Sequence, residues 1–169
     1  MIQRYHVLAR RIEQELAELE RTQAAIERHW HKAEGAASDQ DAYLNSVALN
    51  LHAFYSGLER VFELIAIELD GGTLGGDAWH TELLRQMALD VPGTRPAVLG
   101  ANTAAALDEY RRFRHRIRNI YASNLDPARI RPLLTQLPAL WAQLRHDLDS
   151  FIEFLHGLSH GHEEVQSPA

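Results

Sequence analysis

Five arginines fall between positions 111 and 118 (Arg111, Arg112, Arg114, Arg116 and Arg118), with His115 among them. A guanidinium presents a fork of N–H donors that matches phosphate oxygens, and an imidazole exchanges protons near neutrality. On a helix at about 100° per residue, Tyr110, Phe113, Ile117 and Ile120 share an apolar arc. Arg111, Arg114, His115, Arg118, Asn119 and Tyr121 follow one another round the opposite arc, with Arg112 and Arg116 at the border. One helix can therefore bury one side and offer a cationic, titratable side. That side is equipped to hold a phosphate and move a proton beside it.

Other polar residues are weaker candidates. Asn50, His52, Tyr55 and Glu59 sit among apolar residues, where a polar group usually bonds a neighbour. Glu59 stands apart, because a carboxylate facing the arginine helix would orient a guanidinium. His29 and His31 are two apart and diverge on a helix, so a metal pair is not expected there; a solvated His beside a buried Trp30 is the better reading. His80, next to Trp79, reads as a site residue or a surface residue, with the surface preferred. His160 and His162 lie in a polar tail and are given no metal role. The run Asp70-Gly71-Gly72-Thr73-Leu74-Gly75-Gly76 has no GK[ST] and no preceding strand, so it is a breaker and not a phosphate loop.

The elements that must position these residues are all helical. Residues 4–33 carry a stripe of Val7, Leu8, Ile12, Leu16, Leu19, Gln23 and Ile26. Gly35 to Ser38 stops that helix, and Ser38 or Asp39 can cap the next. Residues 39–70 repeat Tyr43, Val47, Leu51, Phe54, Leu58, Phe62, Ile65 and Leu69, broadened by Val61, Ala66 and Ile67, as expected of a central helix. A short helix is predicted from Asp77 to Leu89, and the arginine helix over residues 101–122 with Asn102 or Thr103 as its cap. Asp126 caps a new start with Pro127 in the first helical position. Pro132 and Pro138 predict a short piece to Gln136 and a separate helix from Pro138 to Gly157. No β-alternating run occurs. The expected architecture is all-α, an antiparallel bundle of four to five main helices in one domain, residues 1–158, followed by a flexible tail, residues 159–169.

Composition narrows the function classes. The chain has 169 residues, 46% hydrophobic and 24% charged, which suits one soluble domain. It lacks cysteine, so it has neither a disulfide framework nor a thiolate metal site, which fits a reducing cytoplasm. The N-terminus is charged and amphipathic rather than signal-like, and no apolar run is long enough to span a membrane. A net charge of −6 argues against a non-specific nucleic-acid coat, while leaving room for one local basic site.

Residues 39–156 resemble the HepT-like ribonuclease toxins of the HEPN superfamily. The resemblance rests on residues 41–63, from Asp41-Ala42-Tyr43-Leu44 to Glu59-Arg60-Val61-Phe62-Glu63, and on Trp79-His80-Thr81-Glu82-Leu83-Leu84. It rests equally on Phe113-Arg114-His115-Arg116-Ile117-Arg118-Asn119-Ile120-Tyr121, followed by Asn124-Leu125-Asp126-Pro127. It implies a HEPN-type bundle that forms a homodimer, with the cleft between two copies of the arginine helix, and metal-independent RNA cleavage without a cofactor. The family carries an R-x(4–6)-H motif, often R-x4-H-x-Y. Arg114 takes the motif arginine and Tyr121 the tyrosine, whereas the motif histidine falls on Asn119. Two readings follow. His115, on the same arc, supplies the imidazole in place of Asn119; or the protein is a non-catalytic HEPN module that binds RNA or a partner without cutting. The resemblance further implies a toxin of a type VII-like toxin–antitoxin pair. Its antitoxin would be a nucleotidyltransferase of the MNT type that adds AMP to Tyr121.

With no carboxylate cluster for two metals, the chemistry expected is attack by the substrate's own 2′-OH. His115 would serve as acid or base and Arg114 would hold the phosphate, aided by Arg111 or Arg118. Asn119 would orient the phosphate or ribose, and tRNA is one candidate substrate. Taken on periodicity alone, the arginine run also reads as a solvated face paired to neighbouring carboxylates.

Overall fold

Apolar residues at helical spacing build five helices in the computed structural model, which describes residues 2–72, 75–117 and 125–160. They are α1 (Ile2–Gly35), α2 (Gln40–Leu69), α3 (Trp79–Met87), α4 (Ala101–Ile117) and α5 (Pro127–His160), with no strand among the described residues. No described helix is long and apolar enough to cross a membrane. The all-α bundle is therefore as expected.

Helix α2 is the centre. Val47, Leu51, Phe54, Tyr55, Leu58, Val61, Phe62, Ile65 and Ala66 are all buried along it. Ile67 stands out at 53% exposure, so the stripe is narrower than expected, and Val7 of α1 is likewise exposed at 52%. Helices α1 and α2 run antiparallel, pairing Arg4 with Glu68 at one end, Glu15 with Arg60 midway and His29 with Ser46 at the other. His29 thus bonds a neighbour and is itself half-buried, and Trp30 is half-buried under the Arg131 guanidinium, 5.2 Å from the ring centroid. Gly57 marks the tightest approach: a Cβ there would meet Leu19 Cδ2 at 2.8 Å. Helix α5 runs antiparallel to α1, through Arg131–Glu34, Arg145–Glu20 and His156–Glu13.

Several local expectations are corrected. Helix α5 continues through Pro132 and Pro138 instead of breaking into two. Each proline forgoes a helical bond, at about 3 kcal/mol. Yet Ile130, Leu133, Leu134, Leu137, Leu140 and Leu144 form one buried face across both, which a break would open. Tyr110 of α4 donates a 2.6 Å bond to the Leu133 carbonyl, beside the Leu134 carbonyl that Pro138 leaves without its helical donor. At its far end α5 runs on to His160, and Ser159 is buried with its hydroxyl on the Leu155 and His156 carbonyls, so Ser159 belongs to the helix and not to a tail. Asp39 takes the cap position of α2 without a side-chain cap bond. The start of α4 is capped from outside. Asp147 of α5 accepts from Gly100 N at 2.9 Å and Thr103 Oγ1 at 2.7 Å. Asp126 caps α5 as expected, accepting from Ala128 N at 2.9 Å.

The loop between α3 and α4 is fastened to α2 by a buried ion pair. Arg95 reaches Asp70 through Nε and Nη2, both at 2.7 Å, and its side chain is 0% exposed. Its remaining N–H groups reach the Leu89, Pro96 and Gln86 carbonyls. All five guanidinium donors are thereby used.

Candidate functional site

Three helices converge on the arginine stretch. Ser56 and Glu59 lie one turn apart on α2, His80 opens α3, and Arg111, Arg114 and His115 lie on α4. Tyr110 and Phe113 are buried against the core, as the apolar arc of α4 demands, and Arg112, His115 and Arg116 are exposed. Arg114 does not point away from the core: it crosses to α2.

Glu59 organises the cluster. Its side chain is 6% exposed, and its two oxygens serve two partners. Oε2 lies 2.8 Å from Arg114 Nη1, and Oε1 lies 2.5 Å from His80 Nδ1. Arg114 Nε donates to Ser56 Oγ at 3.0 Å, and its Nη1 lies 3.3 Å from His80 Nδ1. Burial pushes the Glu59 carboxyl above its ordinary range, while Arg114 and the His80 bond pull the other way. The ring of Trp79 stacks on His80, centroids 3.6 Å apart at 31°. His80 is therefore half-buried and paired, not the surface residue expected. Nearby lies Tyr55, fully buried, its hydroxyl without a hydrogen-bond partner among the described residues and pushed strongly upward in pKa by burial and by Glu59.

His80, Arg111, Arg114 and His115 line a pocket of about 30 Å³. That volume admits one water-sized group, such as a single phosphate oxygen, and not a nucleotide. Arg111 also lines a groove of about 650 Å³ between α3 and α4, with Arg85, Arg112, Thr81 and Asp108. Arg111 and Arg112 both pair with Asp108, so part of the cationic face is neutralised within α4, as the solvated-face reading supposes.

The structure thus brings together four residues singled out from the sequence: Glu59, Arg111, Arg114 and His115. Arg118, Asn119 and Tyr121 lie outside the described residues. Ser56 joins the cluster without a mark in the sequence, and His80 joins it against the preferred surface reading. His80 had a signal, since His80, Leu83, Leu84 and Met87 keep helical spacing and place it on the buried side of α3. No group of three or more His, Asp or Glu able to hold a metal occurs among the described residues.

A family model described as HepT-like protein matches residues 46–155, the part of the chain that contains every residue of this cluster. No curated protein and no solved structure matches the chain.

Proposed function

The chain belongs to the HepT-like family, and from that premise we propose that it is a metal-independent endoribonuclease acting at the Arg114 cluster. The observation that carries this reading is the pocket that places two imidazoles, His80 and His115, beside two guanidiniums, Arg111 and Arg114. Arg114 holds the non-bridging oxygens of the scissile phosphate, and Arg111 leads the strand toward the wider groove. The 2′-oxygen attacks phosphorus, the 5′-oxygen leaves, and a 2′,3′-cyclic phosphate remains. DNA lacks that nucleophile. A pocket that admits one oxygen leaves the rest of the RNA on an open surface, which a second copy of α4 across a homodimer would close. Asn119 would orient the phosphate or ribose, and Arg118 would add to the grip on the phosphate. In this reading the protein is the toxin of a toxin–antitoxin pair in the cytoplasm. Its partner is a nucleotidyltransferase of the MNT type. AMP added to Tyr121 would place a phosphoryl group among the arginines and exclude RNA.

Asn119 at the position of the motif histidine favours a second reading, a module that binds RNA without cleaving it. Incubating the protein with tRNA and RNA oligomers in EDTA separates the two. Cleavage to cyclic-phosphate ends supports the nuclease. Cleavage that needs added metal overturns the mechanism, and salt-sensitive binding of intact RNA supports the second reading.

A further inference from the structure

We propose that His80 is the proton-transfer residue of this site, with Glu59 as the residue that positions it. The inference rests on the ribonuclease reading and replaces His115 in the proton-transfer role. An imidazole acts as a base only when one nitrogen presents a lone pair to the substrate, and the partner of the other nitrogen decides which one does. With Glu59 ionised, its 2.5 Å contact takes the Nδ1 proton as a hydrogen bond and leaves the lone pair on Nε2. The ring is fixed twice, at its edge by Glu59 and across its face by Trp79. The same carboxylate holds Arg114, so the proton acceptor and the phosphate clamp are set from one rigid point on α2. His115, by contrast, lines the same pocket as an exposed side chain.

In the reaction, the 2′-hydroxyl proton passes to His80 Nε2 as the 2′-oxygen bonds to phosphorus. The bond from phosphorus to the 5′-oxygen breaks, and that oxygen takes a proton from water. The imidazolium, stabilised by Glu59, returns its proton to solvent.

The test compares wild type, His80→Ala, His80→Gln, His115→Ala, Glu59→Gln and Arg114→Ala on one RNA oligomer in EDTA, with helicity checked for each. Binding is measured separately on the 2′-O-methyl form of that RNA, which cannot be cut. His80→Ala and His80→Gln are expected to slow cleavage ~10²–10³-fold with RNA affinity unchanged. Free imidazole is expected to restore cleavage to His80→Ala but not to Arg114→Ala, an effect that a packing role for His80 would not give. Glu59→Gln is expected to fall between wild type and His80→Ala, and His115→Ala to slow cleavage less than His80→Ala does. If wild type cuts and both His80 variants cut equally well, the assignment of His80 is overturned and the nuclease reading stands. Failure of imidazole to restore His80→Ala likewise overturns the assignment. If wild type leaves every RNA whole, the nuclease reading falls and this inference falls with it.

Discussion

Two arginines, Arg95 and Arg114, each leave their own segment to meet a buried carboxylate on α2 or at its end, and they differ in what remains free. Arg95 commits all five donors to Asp70 and three carbonyls and is 0% exposed. Arg114 is 18% exposed, binds Ser56 and Glu59 through Nε and Nη1, and makes no Nη2 hydrogen bond to another described residue. A saturated guanidinium can only hold structure together. One whose Nη2 bonds no other described residue, beside a pocket, can hold a ligand as well. Counting satisfied donors therefore separates two ion pairs that look alike by distance, 2.7 and 2.8 Å.

The sharpest way to break that comparison is to remove each cation. Arg95→Met strands the Asp70 carboxylate, itself 7% exposed, and is expected to lose about 3–5 kcal/mol of stability in urea unfolding. Next comes Arg114→Lys, which keeps the charge but loses the fork. It is expected to reduce RNA cleavage ~10²–10³-fold while shifting unfolding by less than the Arg95 variant does. Equal loss of stability in the two would erase the distinction.

Glu59 gives a pH test. Its folded-state pKa is raised, chiefly by burial, so the native state holds this proton more tightly than the unfolded chain. Its contribution to stability is then present below the ordinary carboxyl range and lost as pH rises through the raised value. The stability of wild type minus that of Glu59→Gln should decrease as pH is raised from below 4.5 toward neutrality, as followed by parallel unfolding curves. An increase would mean that Arg114 and His80 outweigh burial. The smallest effect belongs to Tyr55→Phe. Deleting a buried hydroxyl without a partner among the described residues should change stability by less than about 1 kcal/mol, toward stabilisation. A loss of more than about twice that would reveal a hydrogen bond there.

The all-α bundle was legible because apolar spacing in α1, α2 and α5 repeats over many turns, and each turn adds to the signal. The continuity of α5 was not, because proline is a strong local breaker and only the buried face running across Pro132 and Pro138 outvotes it. The arginine stretch was legible as a cluster of charge in a chain poor in cations. Its division of labour was hidden: Arg114 meets Ser56 and Glu59 across more than 50 positions, and Arg95 in a loop carries no periodic mark. The spacing of α3 hints at the buried side for His80, but its partner was hidden, because Glu59 lies 21 positions away on another helix.

Gly57 has a consequence best put as alignment. Helix α2 is seated against Leu19 of α1 at that one bare backbone position, while Ser56 and Glu59 on either side of it aim the guanidinium and the imidazole. Hydrogen at position 57 acts as a zero-thickness shim. A side chain there would force either Leu19 or α2 to move, and a shift of α2 by about 1 Å is enough to cost a reacting group ~10²-fold in rate. The aim of the cluster is thus referenced to the contact between α1 and α2, outside the lining of the pocket itself.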